Sequence, residues 1–143
     1  MKLFPINIKD EEFKVAVADT DETRAKGVSG LKRIGVNKGM LFIFSEAVRM
    51  RMIMAGVNFG IDFIFINNDW EILQLGSLKQ GENNSITANQ EYPMVLELKE
   101  GTIERLGLSV GLSLDPSKEL LTHFKGVKSF KTGGRFEMVG DKV

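Results

Sequence analysis

The chain of 143 residues lacks cysteine and contains a single histidine, His123. Without cysteine it cannot form disulfides, thiolate zinc sites or a cysteine nucleophile. One histidine cannot build a multi-histidine metal site, and it would have to serve alone in a Ser-His-Asp triad. We therefore predict no metal and no cofactor, and we interpret His123 as a surface residue rather than a catalyst.

The chain also lacks a net charge and any long apolar run. Its 19 basic and 19 acidic residues cancel, so no overall field attracts nucleic acid or an anionic membrane. No apolar run approaches the ~20 residues that a transmembrane helix needs, and the opening MKLFPINIKDEEF lacks the apolar stretch of a secretory signal. We predict that the protein binds neither nucleic acid nor membrane and is cytoplasmic when synthesised.

Charge is distributed unevenly along this neutral chain. Residues 116–143 hold six Lys/Arg and three Asp/Glu, so this segment carries about +3 and the remainder about −3. Since a chain of this length favours one domain, we predict a compact domain over residues 1–115 and a basic, glycine-containing C-terminal arm over residues 116–143. The residues of the arm that we assign to assembly are Phe124, Lys128, Phe130, Arg135 and Phe136.

What the sequence does contain is a series of short apolar runs, most of which alternate with the period of two that is typical of strands. These runs are EFKVAVAD, GMLFIF, VRMRMIM, IDFIFI, WEILQL, MVLELKEG and SVGLSL. The NND between the fourth and fifth runs predicts a hairpin turn. The pattern predicts an α+β, mainly β fold: a curved antiparallel sheet or small barrel of six to seven short strands with two short helices.

The two helices are predicted from their end signals. The first begins at Thr20 or Asp21, whose side chains can accept backbone N–H bonds, and the second begins at Thr102 and ends at Gly107. The polar stretch 79–93 is predicted to be a loop. After it, SKELLTHF predicts one or two helical turns with Ser117 as the cap.

Three stretches of the sequence, taken in order, resemble the domain of unknown function 192 family. They are VAVADTDETRAKGVSGLKRIGVNKGMLFIF, FGIDFIFIN and YPMVLELKEGTIERLGLSVG, which together cover about residues 12–114. The resemblance implies a compact, mainly β fold with two short helices, and it implies no established activity. The positions that match the family pattern include Ala18, Asp19, Arg24, Gly27, Asp62, Glu97, Gly101, Leu106, Gly107 and Gly111.

The chain departs from the family pattern at the bend between the methionine run and IDFIFI. Where the family has lysine, asparagine and threonine, this sequence has Ala55, Gly56 and Val57. A lysine amine and an asparagine amide can bind an anion or polarise a carbonyl, whereas alanine and glycine side chains can do neither. If the family has a polar pocket at this bend, this chain has lost its polar groups.

Asp62 and Arg24 are two candidates for a pocket or an interface. Asp62 precedes an apolar run, and its carboxylate is either a catalytic group or an acceptor for backbone N–H groups of the glycine-containing turn before it. We favour the structural role, because it needs no partner residue. Arg24 is expected to pair with Asp19 or with Asp62.

Arg49 and Arg51 are the other two candidates. They alternate with methionines, which we interpret as a buried strand face rather than a soft-metal site. On the opposite face, the two arginines either pair with Glu46 or Glu71, or bind a carboxylate, a phosphate or a protein partner.

These features favour a non-catalytic structural or assembly protein that binds other protein subunits in a homo- or hetero-oligomer. The resemblance extends this expectation, because members of the family also occur encoded by bacterial viruses. A virion subunit of the head, neck or decoration type would suit a compact β domain with an arm, and its location would then be the virion. Two alternatives stay open: a small-ligand-binding or hydrolytic enzyme with a pocket near Asp62, and a cytoplasmic accessory domain.

Overall fold

The computed structural model describes residues 2–28, 30–81 and 83–127, together with the backbone of residues 136–139. Within these residues the chain forms ten strands and three helices. The helices are α1 (Asp21–Lys26), α2 (Thr102–Leu106) and α3 (Lys118–Val127). The strands are β1 (Leu3–Ile8), β2 (Glu11–Ala18), β3 (Lys38–Val48), β4 (Met50–Ile53), β5 (Ile61–Ile66), β6 (Ile72–Leu78), β7 (Ile86–Thr87), β8 (Tyr92–Lys99), β9 (Asp115–Pro116) and β10 (Phe136–Val139).

The larger sheet contains seven strands in the order β6-β5-β8-β3-β2-β1-β9. Its neighbours are antiparallel except β2 and β3, whose parallel pairing is possible because α1 lies in the connection between them. The segment after α2 links the two ends of the curled sheet. Gly111 N–H donates to the carbonyl of Ile72 and Leu114 N–H to that of Trp70, both at 2.8 Å, before the chain pairs with β1 as β9. The resulting half-barrel confirms the predicted mainly β, strongly curved architecture.

A second, smaller sheet has the order β10-β4-β7. Its central strand β4 pairs in parallel with β10 and antiparallel with β7. Met50 and Met52 of β4 are fully buried, whereas Arg51 between them is exposed. The methionine run is therefore a strand with one face in the core, as the alternation predicts.

Both faces of the large sheet are apolar, and a different layer covers each face. Strand β3 shows the alternation: Phe42 and Phe44 belong to the layer shared with β4, and Leu41 and Ile43 belong to the layer beneath α3. All four side chains are fully buried. Because burial of a large apolar side chain contributes about 1.5–3 kcal/mol, these two layers are the main source of stability.

Three short elements differ from the sequence-based expectations. Strand β1 was not predicted, since Pro5 interrupts its pattern and cannot donate to a ladder, yet it pairs along its length with β2. The stretch 79–93, predicted to be a loop, contains β7. The prediction of a strand at SVGLSL was wrong, because this segment turns and makes only the isolated bridge between Glu71 and Ser113.

Helix α3 places the first part of the predicted arm in the core. It begins after Ser117, whose Oγ accepts from Leu120 N–H at 3.2 Å, so the predicted cap is confirmed. Leu120 is fully buried, and Phe124 lies edge-on to Trp70 with 5.2 Å between ring centroids. Residues 116–127 are therefore packed on the domain, and Phe124 is a core residue.

The remaining residues assigned to the arm lie beyond α3. Lys128, Phe130 and Arg135 fall outside the described residues, and Phe136 begins β10, of which the backbone alone is described. No helix in the described part of the chain is long and apolar enough to cross a bilayer.

Replacement of Phe124 by alanine is expected to destabilise the domain by about 3–5 kcal/mol, because it removes a buried ring from the layer beneath α3. The measurement is the free energy of unfolding from urea denaturation. Lys125→Ala, on the exposed side of the same helix, is the matched control and should change stability by less than about 0.5 kcal/mol. Equal effects of the two substitutions would contradict this placement of Phe124.

Candidate functional site

The bend between β4 and β5 is compact and has few polar side chains. Val57 N–H donates to the carbonyl of Met54 at 3.0 Å, and Gly56 has a φ of +80°, which glycine adopts at little cost. A surface cleft of about 310 Å³ lies beside the bend. Its polar side chains come from β4 and from the loop before β7, so the bend itself contributes shape rather than reactive groups. The residues lining this cleft are Arg51, Ile53, Met54, Ala55, Gly81, Asn83 and Asn84.

Asp62 is a structural acceptor with both carboxylate oxygens engaged. Its side chain is 1% exposed. Oδ1 accepts from the Ser77 hydroxyl at 2.6 Å, and Oδ2 accepts from Ile103 N–H at 2.8 Å. The second bond reaches the first turn of α2, where Gly101 precedes the helix without a side-chain cap. Asp62 therefore joins β5 to β6 and caps α2 from across the fold.

This arrangement confirms the structural role of Asp62 and corrects its partners. The predicted donors were backbone groups of the turn before Asp62, whereas the observed backbone donor is 41 residues away. The predicted cap of α2, Thr102, donates its hydroxyl to the carbonyl of Lys99 at 2.6 Å instead. A carboxylate from a neighbouring strand performs the capping, and sequence spacing cannot reveal such a contact.

Asp62→Asn is expected to lower the free energy of unfolding by about 1–3 kcal/mol, because the amide offers one acceptor oxygen to two donors and places an N–H group against the other donor at a buried position. Chemical denaturation measures the loss. Asp69→Asn, in the exposed hairpin turn, is the control and should be close to neutral. A neutral Asp62→Asn would show that its two bonds do not stabilise the fold.

Arg24 is a buried cation that lies against the central strand. Its side chain is 1% exposed, although it belongs to the six-residue helix α1. Nη1 donates to the carbonyl of Ile43 and Nη2 to Oδ1 of Asp21, each at 2.9 Å, and the guanidinium lies 4.8 Å from the centre of the Phe44 ring. Ile43 is one residue beyond the last pair between β2 and β3. The guanidinium thus satisfies a backbone carbonyl where the neighbouring strand has ended.

The predicted partners of Arg24 were therefore wrong. Asp62 is used by Ser77 and by α2, and Asp19 pairs with His123. The ion pair with Asp21 contributes little to stability, because the Asp21 side chain is 87% exposed and water screens the attraction. The main role of Arg24 is to attach α1 to β3.

Arg24→Lys is expected to destabilise the protein by about 1–3 kcal/mol, because an ammonium cannot span both acceptors and stack on Phe44 as the planar guanidinium does. Arg33→Lys, at an exposed position of the following loop, is the matched control and should have little effect. Thermal and urea unfolding of the two variants provide the comparison. If the lysine variants were equally stable, the guanidinium geometry would have no structural importance.

Arg51 lies on the exposed face of β4, and Arg49 is an exposed residue immediately before this strand. The Arg49 Nε donates to the carbonyl of Ala88 at 3.0 Å, so its partner is backbone rather than the predicted Glu46 or Glu71. Arg51 lines the cleft beside the bend, opposite Thr87 on one side and Glu137 on the other in the strand register. The four predicted site residues thus contact different parts of the fold. Arg24 joins α1 to β3, Asp62 caps α2, Arg51 belongs to β4, and Arg49 immediately precedes that strand.

A carboxylate–imidazole pair at the opposite face was missed by the sequence analysis. His123 Nε2 of α3 lies 2.6 Å from Oδ2 of Asp19, which follows β2, and the His123 ring packs on Phe4 of β1 with 5.1 Å between centroids. Nearby, Lys2 Nζ lies 2.6 Å from Oε1 of Glu119. These residues line a cleft of about 350 Å³. Asp19 and His123 are 104 positions apart, which explains why their spacing in the sequence gave no signal.

The Asp19–His123 pair connects α3 to the β1–β2 hairpin. His123 is half-buried, and the Thr122 hydroxyl beside it donates to the carbonyl of Lys118, within the same helix. In the described part of the chain, no three His, Asp or Glu side chains come together as a metal site would require. The arrangement is suited to holding a helix in place.

The fold defines a class, a mainly β half-barrel domain with short helices, and comparison with known proteins assigns the family. The chain belongs to the DUF192 family of uncharacterised ACR proteins, which it matches over residues 4–116. The match confirms the family resemblance of the sequence. No curated protein matches the chain.

Two solved structures share the fold. A candidate transcription regulator from Sinorhizobium meliloti is 29% identical, with a TM-score of 0.68 over 74% of this chain and 83% of that one. A protein of unknown function from Novosphingobium aromaticivorans is 21% identical, with a TM-score of 0.71 over 79% of this chain and 84% of that one. The second likeness is one of fold alone.

Proposed function

We propose that this protein is a non-catalytic assembly protein that binds other protein subunits through its C-terminal segment, residues 128–143. One observation carries the proposal: beyond α3 the chain supplies β10 to the edge of β4. Strand addition to a sheet edge is a common way for polypeptides to bind one another, because main-chain hydrogen bonds provide affinity. A segment that forms a strand beside β4 is suited to this kind of contact.

The polar residues considered for catalysis support a non-catalytic role. Both oxygens of Asp62 accept hydrogen bonds inside the fold, and the side chain has almost no exposed surface. Asp62 lines neither the cleft beside the bend nor the cleft beside His123. A hydrolytic site at Asp62 would first have to break the cap of α2.

A protein partner also suits the charge of the chain better than nucleic acid does. The description of the Sinorhizobium meliloti relative as a candidate transcription regulator raises the possibility of DNA binding. Affinity for DNA depends on an excess of Lys and Arg that neutralises phosphates. This chain has equal numbers of basic and acidic residues, so we propose protein partners.

The setting that we propose is a bacteriophage virion, in which the protein would serve as a head, neck or decoration subunit. The resemblance to family members encoded by bacterial viruses supports this setting. It predicts that the protein is present in fixed ratio to other subunits in purified particles, as mass spectrometry would measure. Its absence from such particles would remove the virion setting and leave the assembly role to be tested separately.

A chain that ends at Val127 tests the assembly role directly. We expect the full chain to sediment as an oligomer at tens of micromolar and the truncated chain to sediment as a monomer. The melting temperature should change by no more than about 4 °C, which corresponds to about 1 kcal/mol in a domain of this size. Sedimentation velocity and differential scanning calorimetry provide the two measurements.

The boundary of the truncation matters. A chain that ends at Asp115 would also lose Leu120 and Phe124 from the core, and it is expected to unfold. Truncation at Val127 keeps both residues and isolates the segment. If the full chain is a monomer, or if the truncated chain still assembles, the assembly role of residues 128–143 is contradicted.

A further inference from the structure

We propose that the connection from the end of α1 to the start of β3, residues 26–38, is a protein-binding surface whose partner is an acidic segment of another protein, in which carboxylate side chains are interspersed with aliphatic ones. We call residues 26–38 the basic strip. This inference goes beyond the proposed function, because the basic strip belongs to the domain itself and is separate in the chain from residues 128–143.

The basic strip concentrates positive charge in a domain that is otherwise acidic. It contains Lys26, Lys32, Arg33 and Lys38 and no Asp or Glu, although residues 1–115 together hold more acidic than basic residues. All four basic residues are exposed. None of them forms an ion pair with another residue in the part of the chain that the structure describes. A group of exposed cations without internal partners attracts an anionic partner and repels a cationic one.

Two aliphatic residues are exposed among these cations. Leu31 is 50% exposed and Val36 is 59% exposed. Lys32 follows Leu31 directly, and Lys38 lies two positions beyond Val36. A protein partner can bury both aliphatic side chains, which is favourable, whereas the phosphates of a nucleic acid gain nothing from contact with them. The combination of cations and aliphatic side chains therefore favours a protein over a nucleic acid.

The basic strip is held in place on the large sheet, although its described residues lie mostly outside helices and strands. Val28 and Ile34 are buried in the core layer shared with β4. Asn37 fixes the end of the strip, because its Nδ2 donates to the carbonyl of Glu12 and its own carbonyl accepts from Lys14 N–H, each at 3.0 Å. An ordered surface loses less conformational freedom on binding than a mobile loop does.

A surface cleft of about 260 Å³ adjoins the end of the basic strip. Val36, Lys99 and Arg105 line it, and Glu100 adds one carboxylate. Arg105 also donates to Glu11 at 3.0 Å, so its charge is partly offset, whereas Lys99 is exposed. A concave site with an aliphatic wall and a nearby cation can hold a side chain of a partner protein. The flat surface of a bilayer would leave it unfilled, and Glu100 would repel a phosphate.

Binding of a defined acidic peptide tests the proposal. The probe is a fluorescently labelled peptide of about twelve residues with two glutamates for each leucine, and its binding to the full chain is followed by fluorescence anisotropy at low ionic strength, where screening is weak. Lys32→Glu and Arg33→Glu, introduced together, are expected to weaken binding at least about tenfold, because repulsion replaces attraction. Failure of the original chain to bind the peptide would overturn the proposal.

The matched control is the double variant Lys118→Glu and Lys125→Glu. Both lysines are exposed on α3, which covers the other face of the large sheet, and their reversal changes the net charge by the same amount. Its affinity for the peptide should stay within about twofold of that of the original chain, because the charges lie far from the basic strip. An equal loss in the two double variants would show that the peptide responds only to overall charge, which contradicts a site.

The aliphatic part of the surface needs its own variant. Leu31→Ser and Val36→Ser, introduced together, leave the charge unchanged and are expected to weaken binding about fivefold, because two apolar contacts are lost. Anisotropy measured at two salt concentrations separates this loss from the electrostatic one, since only the latter shrinks with salt. If the double serine variant binds as tightly as the original chain, the preference for an aliphatic partner is wrong.

A measurement on the unaltered chain keeps the surface testable if a variant fails to fold. Addition of the peptide to the isotope-labelled full chain should shift the backbone amide resonances of residues 30–38 and 99–105 more than those of α3. Larger shifts on α3 or on β4 would place the peptide elsewhere and overturn the assignment of the basic strip.

Two further probes distinguish the partner class. They are a DNA duplex of about twenty base pairs and phosphatidylcholine vesicles that contain about 30% phosphatidylserine. We expect the peptide to bind at least about tenfold more tightly than either, because neither probe fills the cleft beside Val36. Tighter binding of the duplex or of the vesicles would overturn the protein partner in favour of that class.

The outcomes for this surface and for the proposed function are distinguishable. Assembly through residues 128–143 is measured by sedimentation, and the charge-reversed variant of Lys32 and Arg33 should sediment as the original chain does while it loses the peptide. Failure of the assembly role would leave the peptide result unaffected. Loss of both assembly and peptide binding in this variant would overturn the existence of two separate surfaces.

Discussion

The two-sided burial of the large sheet is the constraint on which the rest of the structure depends. Strand β3 has apolar side chains on both faces, with Phe42 and Phe44 on one and Leu41 and Ile43 on the other. A half-barrel built on such a strand must be covered on both sides, because burial of apolar surface is the main favourable contribution to folding. The small sheet covers one face and α3 covers the other. Helix α3 therefore supplies one of the two covering layers from the C-terminal region.

This constraint divides the C-terminal region into two parts with different roles. Residues 118–127 complete a core layer as α3, with Leu120 and Phe124 buried. Beyond α3, β10 extends the small sheet at β4. Between the two lies a basic, glycine-containing stretch.

The buried polar side chains form hydrogen bonds with backbone groups at positions where strand pairing or a helix ends. Asp62 accepts from the first turn of α2, and Arg24 donates to a carbonyl at the end of the β2–β3 ladder. At the surface, Asp19 and His123 join α3 to the β1–β2 hairpin. An unpaired buried polar group is costly, so these contacts let strands and short helices end inside a compact fold. The hydrogen bonds of these side chains thereby stabilise the fold.

Local sequence patterns determined much of the architecture, because strands and caps depend on neighbouring residues. The alternation in VRMRMIM predicted that Met50 and Met52 lie in the core and Arg51 at the surface. Thr20 caps α1 as predicted. The predicted turn at NND connects β5 to β6. Strand β1 was not predicted, because Pro5 interrupts the alternation of apolar and polar residues. The apolar positions of SKELLTHF predicted helical turns but did not show what they would pack against.

The contacts between distant residues were decided by tertiary structure alone. Ile103 is 41 residues from Asp62, and His123 is 104 residues from Asp19. The partners of Arg24 followed from the point at which β2 ends beside β3, which no spacing in the chain encodes. The sequence by itself determined which residues are apolar, which strands have alternating buried and exposed side chains, and which residues cap the helices. The curling of the sheet decided which polar groups met, because only it brings separate strand ends into hydrogen-bonding distance.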